Sequence, residues 1–81
     1  MNPIEISDYK RTWLPGHTVG YCSDLMDRAI RWCKDNVEKH QFQHVKYVDS
    51  YEHEMRFECV QDKEGFIEFI ESIDPKFVYN R

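Results

Sequence analysis

The chain reads as a two-layer α+β domain. Two helices lie on one face of an antiparallel sheet, in the order β-α-β-β-α with a further strand at the C-terminal end. Three observations carry this reading. Apolar residues recur at helical spacing from about Ser23 to Lys39. Two β-rich runs then follow one another from Phe42 to Val60, the second with period two. A second amphipathic run, from about Asp62 to Ser72, is stopped by Asp74-Pro75. Helices and sheets with one apolar side must bury it against another layer, and two helices flanking a hairpin do so by sharing one sheet face. With both terminal strands in place, this is the split β-α-β, ferredoxin-like arrangement.

The elements can be justified in order. Ile4, Ile6 and Tyr9 alternate with polar residues, which is a short strand signal. Leu14-Pro15-Gly16-His17 suits a type II turn, proline presetting the first central position and glycine supplying positive φ at the second. The stretch from Lys10 to Tyr21 is otherwise irregular, and its end from His17 to Tyr21 can be extended. Ser23 is a good N-cap for the first helix, with Asp24 and Asp27 in the first turn and Lys39 and His40 at its end. Cys22, Met26, Ala29, Ile30, Cys33 and Val37 form its apolar stripe, widened by Leu25 and Trp32. Asp24 with Arg28, Asp27 with Arg31 and Lys34 with Glu38 are opposite charges four apart, a spacing that supports a helix.

Phe42 to Val48 is rich in β-branched and aromatic residues. In the next run His53, Met55, Phe57 and Cys59 alternate with Glu54, Arg56, Glu58 and Val60. The four residues Asp49 to Glu52 connect the two as a β-hairpin. The second helix has Asp62 as its expected cap. Phe66, Ile67, Phe69, Ile70 and Ile73 face inward, and Glu64, Glu68 and Glu71 face outward. Phe77, Val78 and Tyr79 supply the last short strand. Ile30, Cys33, Val45, Phe57, Phe66 and Ile70 are the expected core.

At 81 residues the chain is expected to be one domain, spanning residues 1–81, with a small core. A 41% hydrophobic share that includes twelve aromatics supports a packed core rather than a disordered chain. Three cysteines, Cys22, Cys33 and Cys59, with no C-x-x-C pair, argue against a disulfide scaffold and for a reducing cytoplasm. No basic region followed by an apolar run opens the sequence, so no signal peptide is expected. No apolar stretch approaches the roughly 18 residues a membrane helix needs, so no membrane partner is expected.

Charge is unevenly distributed. From Asp49 to Asp74 nine acidic residues face only Arg56 and Lys63, a net of −7, whereas the whole chain carries −4. Such a field bears on what the domain can bind. Net negative charge also argues against general binding to a phosphate backbone, which Lys and Arg drive.

Five candidate sites follow. His17, Cys22, Cys33, His40, His44, His53 and Cys59 have metal-ligand chemistry, but their spacing lacks the close pairs of structural zinc sites. Buried cysteines and surface histidines are the simpler reading, so no metal or cofactor is expected. Cys22, just before a helix, is the best-placed thiol, yet nothing identifies a base for it, and no catalytic residue is assigned. Arg28, Arg31, Lys34 and Lys39 make the first helix basic and could hold phosphates, alongside Lys10 and Arg11. The strand Arg56-Phe57-Glu58-Cys59-Val60 lacks the glycine and the positive charge of an RNA-binding motif. The carboxylates Glu54, Glu58, Glu64, Glu68 and Glu71 form a candidate docking face for a basic protein, although solubility alone accounts for surface glutamate. Trp13 and His17, at the Pro15-Gly16 turn, are candidate interface anchors, unless Trp13 closes the open end of the core.

The segment from Tyr21 to Ile70 resembles small accessory proteins of tailed bacteriophages. The matching residues are Arg31-Trp32-Cys33-Lys34, Met55-Arg56-Phe57-Glu58 and Glu64-Gly65-Phe66-Ile67-Glu68-Phe69. The resemblance implies a protein that binds and modulates host or phage factors in the host cytoplasm, and it transfers no functional residue. The expectation is therefore a non-enzymatic binding protein of inhibitor type, which docks its acidic half (residues 49–74) onto a basic partner surface. The alternative is a small nucleic-acid-associated regulator using the basic helix from Arg28 to Lys39.

Overall fold

The computed structural model describes residues 3–6, 17–47 and 50–80. Tyr9, Lys10, Arg11, the Trp13-to-Gly16 part of the expected turn, Val48 and Asp49 lie outside the described residues. Five strands form one antiparallel sheet: β1 (Pro3–Ile6), β2 (Thr18–Cys22), β3 (Phe42–Tyr47), β4 (Glu52–Phe57) and β5 (Val78–Asn80). Helix α1 (Met26–Asn36) joins β2 to β3, and helix α2 (Val60–Ile73) joins β4 to β5. The strand order is β1-β3-β4-β2-β5. Without β1 this is β3-β4-β2-β5, the order of a ferredoxin-like β-α-β-β-α-β domain, with each antiparallel strand inserted between the two ends of a β-α-β unit.

The first core strand differs from the sequence expectation. Pro3–Ile6 is a strand, but it sits at the sheet edge beside β3. The central position belongs to Thr18–Cys22, which pairs with β4 on one side and β5 on the other. Val19, Gly20, Tyr21 and Cys22 are all buried, so both faces of this strand are covered and its sequence shows no apolar–polar alternation.

Register assigns the two faces. Phe42 opposes Phe57, His44 and Val19 oppose Met55, and Tyr21 opposes His53. These side chains share the face beneath the helices. Leu25, Ala29, Cys33 and Val37 come down onto it from the first helical segment, and Phe66, Ile67 and Ile70 from α2. Cys33, Phe57, Phe66 and Ile70 are fully buried there, as expected, while Ile30 is half-buried at the core margin. Val45 is equally buried, but on the opposite sheet face, where it pairs with Glu54.

Helix boundaries are set by tertiary contacts. Ser23 does not cap α1. Its N–H donates to the Tyr51 carbonyl at 2.7 Å, and residues Ser23–Leu25 form a 3-10 turn before the regular helix begins. The helix ends at Asn36, three residues short of Lys39. There the Asn36 amide donates to the Trp32 carbonyl at 2.9 Å and Val37 turns extended to bury its side chain. Cys59, not Asp62, is the α2 cap residue, so Cys59 and Val60 leave the strand pattern. Asp62 still places its charge in the first turn, where the helix dipole favours it. Asp74-Pro75 does stop α2, and the Asp74 carboxylate accepts from the Lys76 N–H at 2.9 Å.

The helices meet through one ring. Trp32 lies nearly parallel to Phe69, with centroids 5.9 Å apart, and edge-on to Phe66 at 5.8 Å. Gly65 admits it: a Cβ there would sit 3.3 Å from the indole.

Candidate functional site

Helix α2 presents the carboxylates expected to face solvent. At 100° per residue, Val60, Glu64, Ile67 and Glu71 lie on the flank opposite Gly65, away from α1. With Lys63 and Glu68 they line a shallow, open depression along the helix. Glu64 and Glu68 are exposed, and Val60 leaves 43% of its surface in solvent. The result is one exposed apolar side chain, Val60, above the nearly buried Ile67, edged by carboxylates on successive turns. Apolar contact gives such a surface affinity, and the charge selects and steers a basic partner.

The remaining acidic residues are separated from this flank. Glu58 is exposed at the corner between β4 and α2, and its N–H donates to the Gln41 carbonyl at 2.9 Å. Glu54 opposes Gly20 and Val45, so it lies on the sheet face away from the helices. It accepts from the Tyr47 hydroxyl and from Arg56 Nη2, the latter at 3.0 Å. Burial pushes the Tyr47 phenol up, and the hydrogen bond to Glu54 adds to the shift. Glu54 thus belongs to a Tyr47–Glu54–Arg56 network and does not join the α2 carboxylates. His17 is half-buried just before β2, and Trp13 lies outside the described residues.

The basic residues fall on the other helix. Arg28, Arg31 and Lys34 are exposed on α1, and Lys39 is exposed in the 3-10 turn that follows it. Among the described residues, ion pairs within 4.0 Å join Arg56 to Glu54 and Lys76 to Asp74. The expected Asp24–Arg28, Asp27–Arg31 and Lys34–Glu38 pairs do not close to that distance. Glu38 misses its partner because the chain has already left the helix at Val37.

The cysteines differ in burial. Cys22 and Cys33 are buried and Cys59 is half-buried. Burial pushes the Cys33 thiol well up, with the Asp62 carboxylate adding to it, which removes the thiolate that nucleophilic chemistry requires. Among the described residues no three His, Cys, Asp or Glu side chains converge as a metal site.

One cluster was not legible as such from sequence. Tyr21, His44 and His53 converge beneath the helices, with the Tyr21 hydroxyl and His44 Nε2 hydrogen-bonded at 2.8 Å. The two imidazoles stand 5.6 Å apart in an edge-on arrangement, and Phe66 closes over Tyr21 at 5.6 Å. Both histidines are buried, contrary to the surface placement expected for them. The signal was present in the strand phase. His44 is two residues from Phe42, and His53 is two from Met55, so both share the core-facing side of their strands.

Family models, curated proteins and solved structures were compared with the chain, and none matches it. No helix of the described residues is long and apolar enough to cross a membrane.

Proposed function

We propose that the protein is a non-enzymatic binding module that docks the outer flank of α2 onto a basic surface of a partner protein. The observation that carries this reading is the shallow depression in which the exposed Val60 is bordered by Glu64, Glu68 and Glu71. Carboxylates alone would serve solubility, whereas the exposed Val60 side chain among them offers the apolar contact that an interface with a polar rim uses. The resemblance to phage accessory proteins agrees with an inhibitor or modulator acting in the host cytoplasm.

A second reading rests on α1. Arg28, Arg31 and Lys34 are exposed without close carboxylate partners among the described residues, a surface that could hold phosphates of a nucleic acid. Capture from lysate, with and without nuclease, separates the two. The parent chain, an E64K/E68K variant and an R28E/R31E variant are compared. Protein docking predicts a captured protein that survives nuclease, is lost with E64K/E68K and is kept with R28E/R31E. Loss on nuclease treatment and with R28E/R31E would transfer the function to the basic helix.

A further inference from the structure

The chain leaves α1 abruptly, and the exit leaves a recess. Lys34 sits in the last turn of the helix, and Val37 turns extended just beyond it. Lys39 opens the 3-10 turn that leads into β3 at Phe42. Lys34, Val37, Lys39 and Phe42 line a cavity of about 350 Å³ whose walls are mostly apolar. Val37 is 6% exposed and Phe42 5%, so they form its floor, whereas both lysines are exposed. The aliphatic stems of the lysines supply the rest of the apolar wall.

Backbone hydrogen bonds hold this frame in place. The Val37 N–H donates to the Cys33 carbonyl at 2.8 Å, and the Gln41 N–H donates to the Glu38 carbonyl at 2.9 Å. The Glu58 N–H donates to the Gln41 carbonyl at 2.9 Å, which ties the turn to the corner before α2. The recess is thus formed before any ligand arrives. Its volume lies at the lower end of the roughly 300–1,000 Å³ usual for small-molecule pockets.

Charge selects the ligand. Among the described residues no carboxylate lines this cavity; Asp35, Glu38 and Asp62 line the neighbouring recess on the other side of Lys34 and Lys39. Neither lysine forms an ion pair within 4.0 Å among the described residues. Two ammonium groups repel a cation, and a neutral guest would leave them without a counter-charge. A phosphate group calls for several donors around its oxygens, and apart from the two ammonium groups this lining is apolar.

We propose that the cavity binds a small amphipathic anion, with an apolar body seated over Val37 and Phe42 and a terminal carboxylate held between Lys34 and Lys39. Burial of the body supplies affinity, and the lysines set its orientation and exclude cations. Glu64, Glu68 and Glu71 of α2 do not line the cavity, so this site stands or falls separately from the docking flank.

The test is an NMR titration of the full chain, followed through its backbone amides. The probes are octanoate, its neutral amide octanamide, and inorganic phosphate, each at millimolar concentration. Octanoate should shift the amides of Lys34, Val37, Lys39 and Phe42 saturably. Octanamide should bind there about tenfold more weakly, because it forms neither ion pair. The K34Q/K39Q variant should lose about the same factor for octanoate and none for octanamide. Both lysines are exposed, so the variant should keep the parent spectrum elsewhere. Absence of these shifts, equal affinity for octanoate and octanamide, or an unchanged octanoate affinity in K34Q/K39Q would overturn the proposal. So would phosphate binding at these amides as tightly as octanoate, which would assign the two lysines to phosphate contacts.

Discussion

Phe57 fills the space between β4 and α2. It is fully buried, opposes Phe42 across the hairpin and meets Phe66 with ring centroids 5.4 Å apart. Truncation would leave a cavity that rigid strands on both sides cannot close. Phe57→Ala should therefore cost about 3–5 kcal/mol in chemical denaturation. A loss below about 1 kcal/mol would mean that the site collapses freely and that the strand phase is misjudged. Glu54 illustrates a different residue-level effect. From sequence it is one more carboxylate on the charged side of a strand, yet it holds the Tyr47 hydroxyl and the Arg56 guanidinium. Glu54→Lys should remove an acceptor from Tyr47 and set two cations together. We expect a destabilisation of roughly 1–2 kcal/mol from that change, measured by urea unfolding at neutral pH. A variant as stable as the parent would show the network to be incidental.

At the scale of elements, the interface between the helices depends on Gly65. Glycine costs a helix interior about 1 kcal/mol relative to alanine, and here the space it leaves holds the Trp32 ring. Gly65→Ala should be close to neutral, because better helix propensity is offset by a methyl 3.3 Å from the indole. Gly65→Leu should push Trp32 off Phe69 and cost about 1–3 kcal/mol by overpacking. Stability and the near-ultraviolet tryptophan signal check both. If leucine is tolerated as well as alanine, Trp32 does not fix the helix spacing. Strand β3, buried throughout Phe42–Val45, was legible from its β-branched and aromatic content, and the other clear elements from a single solvent-facing side. The two helices and β4 carry clear apolar stripes, because one face of each meets water. The central strand β2 was read only as the extended end of an irregular stretch, since it is covered on both faces and interrupted by Gly20. Helix ends were misplaced for a related reason. The Ser23 N–H bonds to Tyr51, 28 positions along the chain, and a local capping rule cannot register that contact.

At the scale of the whole molecule, folding separates charges that the sequence places together. The acidic run from Asp49 to Asp74 is divided between the outer sheet face, where Glu54 is bound internally, and α2, where Glu64 and Glu68 are free to meet a partner. A docking surface on α2 must act through steering and contact together. Exposed charges more than about 10 Å apart are screened at 0.1 M salt, so the long-range part is confined to low ionic strength. Association with the captured partner should slow as salt rises, while dissociation, governed by the apolar contact of Val60, changes little. Two variants separate these contributions. E64K/E68K should reduce the association rate and its salt dependence without loss of stability, because both side chains are solvent-exposed. Val60→Ser should leave the salt dependence intact and speed dissociation, since it removes apolar area and no charge. Stopped-flow mixing at several salt concentrations reads both rates. If E64K/E68K associates as fast as the parent at every salt concentration, the α2 carboxylates serve solubility alone, and the partner must engage a different surface of the domain.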